Sequence, residues 1–178
     1  MTAAPVLDPQ RTALVLVDLM DRLVALPLEP RKGAEVLAAG EELAKRFRAE
    51  GALVVLVRVE RPTVAEQPPG SGLVAGLAHD GDLEVVKRTI GAFQGTELDE
   101  RLRAHGVGTL VFGGIATNLG VESTARAAAD LGYELVFVED AMAAFTAAEH
   151  DASVRLDFPR LGTVTTVGRL SFEAADQD

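Results

Sequence analysis

The chain has 178 residues, 48% of them apolar, and its 27 acidic against 17 basic side chains give a net charge of −10 at pH 7. That length fits one domain of about 150 residues with modest additions, read here as 1–178. The acid excess, with basic residues scattered rather than clustered, excludes a nucleic-acid face, and the absence of cysteine excludes disulfides, thiolate metal sites and thiol nucleophiles.

The N-terminal MTAAPVLDPQ has neither a basic n-region nor an apolar h-region, so the expected compartment is the cytoplasm. TALVLV, at 12–17, is the first strand and ends in Asp18. Residues 34–48 carry Val36, Leu37, Leu43, Ala44 and Phe47 at helical spacing. Gly51 suits the left-handed position after a helix, and the strand ALVVLV follows, ending in Arg58. Its length falls far short of a bilayer span, and no membrane partner is expected. The stretch 61–72, RPTVAEQPPGSG, is too short for a domain linker and suits a long active-site loop. LEVVK, at 83–87, is a short strand ending in Lys87. A helix over 98–104 leads to His105–Gly106 and the strand TLVFGG. IATNLG then opens a helix over 121–131, followed by Gly132 and the strand ELVFV, which ends in Glu139–Asp140. A last helix over 147–156 leads through Phe158–Pro159 and Gly162 to TVTTV.

The strands are continuous apolar runs, as strands buried on both faces are. The alternation predicts an α/β fold with a parallel sheet and helices on both faces. Ligands of such sheets bind beyond the carboxyl ends of the strands. There the sequence places a carboxylate, an ammonium and a helix start. Asp18, following an apolar run, is expected to be enclosed and to need a partner, and Lys87 is the obvious one. The pair is either a general acid or base held by an ammonium, or a structural ion pair. Lys87 could also stabilise negative charge on a substrate, or be a surface lysine. Thr117 and Asn118 are N-cap types, and the helix they open offers backbone amides to an anion or oxyanion. Gly120 falls in its first turn, where glycine is costly and asks for a close approach to the backbone, by a ligand or by the sheet. Phe93 either lines the pocket beside Lys87 or packs in the core. Arg58 and Arg88 are candidates for a substrate carboxylate, and Asp140 reads as a loop anchor. There is no dinucleotide fingerprint after the first strand and no Walker A pair. His79, His105 and His150 show no ligand spacing, so no metal is expected.

Three segments carry a resemblance. LVLVDLMDRL resembles the first strand and catalytic Asp of the isochorismatase-like hydrolases. VVKRTIGAFQGTELDERLRAHGV resembles their lysine segment. GTLVFGGIATNLGVESTARAAADLGYELVFVEDAMAAF resembles their nucleophile turn, helix and following strand. The chain is thus identified as a member of that superfamily of cysteine hydrolases. The resemblance implies a three-layer α/β/α sandwich around a six-stranded, mainly parallel sheet. It makes Asp18 and Lys87 two members of the catalytic triad and implies a cis peptide between Ile115 and Ala116. Ile115, Ala116, Asn118 and Phe93 become the substrate-binding candidates. It also implies a small-molecule substrate, no cofactor, and a homo-oligomer of two or more subunits.

This chain departs from the family at its third triad position. Most members have Cys there; here it is Gly120, in TNLGV. The usual D-x-Q is Asp18-Leu19-Met20, and the Asp/His metal cluster of the nicotinamidase branch has no counterpart around 58–62. Thr124 could share a helix face with Gly120, but no base is poised for it. True isochorismatases also resemble this chain in having Gly at that place; they hydrolyse a vinyl ether, which needs a proton on carbon and a water, not a thiolate. The expected activity is therefore hydrolysis of a small metabolite by Asp18 acid/base chemistry with water. The alternative is an inactive relative that binds a small acid or a protein partner.

Overall fold

The computed structural model describes residues 4–173. In chain order the elements are β1 (Val6–Leu7), β2 (Thr12–Val17), α1 (Asp21–Val24), α2 (Gly33–Ala49), β3 (Leu53–Val59), β4 (Leu83–Lys87), α3 (Leu98–Ala104) and β5 (Thr109–Ile115). A π-helical turn (Thr117–Val121), α4 (Glu122–Asp130), β6 (Glu134–Ala143), α5 (Ala147–Ala152), a second π-turn (Ser153–Asp157), α6 (Phe158–Leu161), β7 (Thr163–Thr165) and β8 (Ser171–Phe172) complete the fold.

The main sheet has six strands in the order β4-β3-β2-β5-β6-β7. All its pairings are parallel, not merely most of them. β1 and β8 form a separate parallel pair.

Alternation along the strands explains why they read as unbroken apolar runs. Leu14 and Leu16 of β2 pack on one face with Val36, Leu43 and Phe47 of α2. Ala13, Val15 and Val17 pack on the other with Leu98 and Leu102 of α3 and with Ala125 and Ala128 of α4. Each of the four central strands therefore feeds two cores, and the result is a three-layer α/β/α sandwich. At the end of α2, Gly51 takes φ +70°, the left-handed position expected after a helix.

Two helices differ from the sequence reading. The turn at 117–121 is π-helical, so α4 begins at Glu122. The helix expected over 147–156 is broken by the second π-turn. There Ser153 Oγ donates to Glu122 Oε2 at 2.6 Å, and Pro159 has no N–H for the helical ladder. β6 runs past ELVFV to Ala143; its register against β5 shifts between the Phe112↔Phe137 and Gly114↔Met142 pairs.

The chain winds outward from β2 through β3 to β4, then returns to β2's other side as β5 and continues through β6 to β7. The strand order thus reverses between β2 and β5, and a ligand crevice forms at the carboxyl ends of strands at such a point.

Candidate active site

Asp18 follows β2 directly at this reversal. Its φ is +55°, a left-handed conformation that aspartate tolerates better than most side-chain-bearing residues. Two backbone bonds hold it: its amide donates to Val57 O and its carbonyl accepts from Met20 N, each at 2.8 Å. On the neighbouring strand Gly114 sits so close that a Cβ would lie 2.1 Å from Val17 O, at φ +121°. Only glycine lets β5 approach β2 this way.

Lys87 ends β4, with β3 between it and β2. Its side chain crosses that strand, and Nζ lies 2.9 Å from Asp18 Oδ2. Nζ also donates to Ile90 O at 2.6 Å. An ammonium carries three donors, so one N–H is left over among the described residues. Asp18 Oδ1 is buried, and no described residue hydrogen-bonds it.

Gly120 completes the group. A Cβ there would lie 3.1 Å from Lys87 Nζ and 3.2 Å from Asp18 Oδ2. The acidic, cationic and glycyl positions singled out in the sequence therefore meet within contact distance. Thr124 fixes the turn from below: its buried hydroxyl donates to Gly120 O at 2.6 Å and accepts from Ala92 N at 3.0 Å. That hydroxyl ties the turn after β5 to the loop after β4, and its one proton is committed to Gly120 O rather than to a base, which argues against a threonine nucleophile.

These residues open on a cavity of about 370 Å³, whose lining includes Asp18, Lys87, Gly120, Ile115 and Ala116. The Ile115–Ala116 peptide is cis. A larger groove of about 720 Å³ lies at the opposite strand ends, beside Arg11 and Glu134, and contains neither Asp18 nor Lys87. We place the site in the smaller one because the ionisable pair is there.

Other expectations land elsewhere. Phe93 does not line this cavity. After Lys87 the chain turns at Ile90, then packs Gly91 against Ser123 and bonds Ala92 to Thr124. That carries Phe93 past the opening to Tyr133, with ring centroids 6.1 Å apart. Asn118 is not among the lining residues either; its Oδ1 is buried and unbonded among the described residues. Neither Thr117 nor Asn118 caps the turn with its side chain. Thr117 Oγ1 instead lies 2.8 Å from His150 Nδ1 in a buried pair, and burial pushes that imidazole below the usual histidine range. Arg58 does not line the cavity and is held by Glu84 and Glu60 at 2.6 and 2.8 Å. Arg88 does reach the rim, where it pairs with Glu60 at 2.8 Å. Asp140 Oδ1 accepts from Val167 N at 2.8 Å and so anchors a loop. The loop at 61–72 contributes Arg61 and Pro62 to the rim.

Sequence reasoning missed Leu119, Ile90 and Phe145, which wall the cavity. Each is a lone apolar residue on a loop or turn, a pattern with no period to betray it.

Burial holds the Asp18 carboxyl above the usual aspartate range. Lys87 pulls it back, through charge and hydrogen bond, and does not cancel the effect; Arg22 adds a smaller pull. Asp18 therefore takes up a proton more readily than a free aspartate, with the Lys87 N–H groups beside it. Among the described residues no group of three or more His, Asp or Glu side chains is placed to hold a metal ion, and no helix is long and apolar enough to cross a membrane.

Comparison with known proteins agrees with this fold. Residues 12–169 match the isochorismatase domain. The chain is 38% identical to the isochorismatase family protein YecD of Escherichia coli O157:H7, over 90% of this chain and 95% of that one. It is 39% identical to YwoC of Bacillus subtilis, another isochorismatase family protein, over 90% and 92%. The solved structure of an isochorismatase family protein from Burkholderia thailandensis superposes with a TM-score of 0.85 at 34% identity, covering 94% of this chain and 97% of that one. The chain belongs to the isochorismatase family.

Proposed function

We propose that this isochorismatase-family protein is a hydrolase that works without a cysteine nucleophile, using Asp18 as a proton donor and water as the nucleophile. The observation that carries the reading is the buried Asp18–Lys87 pair, facing a position where a Cβ would touch both charged groups. The residue there is glycine, so no covalent route through a thiol exists.

The chemistry that suits the pair is hydrolysis of a vinyl ether. Asp18, whose affinity for a proton burial raises, donates to the substrate carbon when it carries that proton. The C=C electrons take that proton and leave an oxocarbenium ion. Water adds to its carbon, and the proton lost from the water returns to the Asp18 carboxylate. The hemiketal then collapses: its bond to the departing oxygen breaks as the hydroxyl proton passes to that oxygen, giving an alcohol and a carbonyl compound. Lys87 keeps Asp18 oriented, and its remaining N–H stabilises negative charge or a lone pair on the departing oxygen.

The test is a screen of vinyl ethers, small esters and amides with wild-type protein and the Asp18→Asn variant. Vinyl-ether turnover is expected, with a loss of about a hundredfold or more in Asp18→Asn, the scale of general-acid catalysis. Turnover that survives Asp18→Asn contradicts the mechanism. Tight metabolite binding without turnover of any class would instead identify a binding protein on this fold.

A further inference from the structure

The walls above the catalytic pair carry information about what enters. Ile90, Leu119 and Phe145 are 62, 42 and 44% exposed, and all three line the one cavity that holds Asp18 and Lys87. Single exposed apolar residues are ordinary on any protein surface. These three come from separate segments: the loop after β4, the turn after β5 and the loop after β6. Independent segments that each bring an exposed apolar side chain to one opening form a wall for an apolar ligand.

The charges at the same opening limit what else the ligand can carry. Arg88 is bound to Glu60 at 2.8 Å, and Glu60 is also held by Arg58 at 2.8 Å. Arg58 in turn binds Glu84 at 2.6 Å. This network neutralises itself. Lys87 gives two of its three N–H groups to Asp18 and to Ile90 O, and the third faces the departing oxygen in the proposed reaction. Among the described residues, Arg61 is the one rim guanidinium without a carboxylate in ion-pair range. A second substrate carboxylate would meet Glu60 or apolar side chains, where it would lose its hydration without gaining a partner.

We infer that the site selects a small substrate with an apolar body and at most one carboxylate, the body lying against Ile90, Leu119 and Phe145 and the carboxylate on Arg61. This rests on the placement of the site in this cavity and names the substrate class of the proposed hydrolase. It excludes dianionic substrates.

Two matched acids test it on the wild-type protein without any turnover. Hexanoate has the apolar body and one carboxylate; adipate has the same carbon count and two. Binding is followed by chemical-shift titration of backbone amides, including Leu119 and Gly120. Hexanoate is expected to bind about tenfold or more tighter than adipate, the scale of exchanging an apolar contact of a few methylenes for a buried unpaired charge. Leu119→Ser should weaken hexanoate about tenfold and leave adipate unchanged, and Ile90→Ser should repeat the pattern. Both side chains are exposed, so an unchanged unfolding midpoint separates lost binding from lost folding. Arg61→Gln should weaken hexanoate and spare hexanamide. Equal or tighter adipate binding, indifference of hexanoate to both serine variants, or saturation by neither acid would overturn the inference. None of these results touches the Asp18→Asn experiment, so a dianionic vinyl ether hydrolysed with dependence on Asp18 would sink this inference and leave the mechanism standing.

Discussion

Two ion-pair systems border the same cavity and teach opposite lessons. At the floor, Lys87 Nζ lies 2.9 Å from Asp18, and the two side chains are 3 and 7% exposed. At the rim, Arg88 lies 2.8 Å from Glu60, but its side chain is 62% exposed. The distances are nearly equal, and the surroundings differ. Water screens the rim pair, so the contact itself adds little to stability. The floor pair has given up its hydration, and each charge depends on the other. Geometry alone would rank them alike; burial separates a screened contact from one whose groups have a shifted proton affinity.

Breaking each in turn sharpens that contrast. Lys87→Ala should have the largest effect on folding, because it strands a buried carboxyl. We expect a loss of about 3 kcal/mol at pH 7, the lower end for breaking a buried pair, measured by denaturant unfolding. The loss has a pH signature. Asp18 in the variant takes up its proton more readily folded than unfolded, so stability falls as pH rises from the ordinary aspartate range through the folded value. Below that range the deficit should largely disappear. A deficit independent of pH would mean that packing, not charge, is what Lys87 supplies.

Next in size is Thr124→Val. It leaves Gly120 O without its donor and Ala92 N without its acceptor, both in the buried layer between the turn and the lysine loop. An unsatisfied buried group costs about 1–3 kcal/mol, and Thr124→Ser should restore most of it. Equal unfolding midpoints for the valine and serine variants would contradict the bridging role. Smallest of all, Arg88→Ala should leave both the unfolding midpoint and turnover unchanged. A measurable loss of either would show that the rim network does more than neutralise itself.

The same distinction explains what the sequence revealed. Unbroken runs such as TALVLV announced two-sided burial, and Leu14 and Val15 do face different cores. Asp18 was legible because a carboxylate at the end of such a run must find a cation, and strand order left Lys87 within reach. Phe93 was not, because its direction depends on Gly91 and Ala92 docking on Ser123 and Thr124, a contact across more than thirty residues. The Thr117–His150 bond is hidden for the same reason: Thr117 reads as a cap until α5 brings an imidazole beside it. Leu119, Ile90 and Phe145 belong to no periodic face, so only their convergence in space makes them a wall. Patterns local to one element were readable, and contacts between loops were not.

The central claim is that burial outweighs Lys87 and leaves Asp18 with a higher affinity for a proton than a free aspartate. The direct measurement is a ¹³C carboxyl titration of Asp18 in the folded protein, read against the pH dependence of turnover. The account predicts a midpoint clearly above the ordinary aspartate value of about 3.9, with activity falling as pH rises through that same midpoint. A midpoint at or below the ordinary value would mean that Asp18 is simply the carboxylate partner of Lys87, and the proton donor would have to be sought elsewhere.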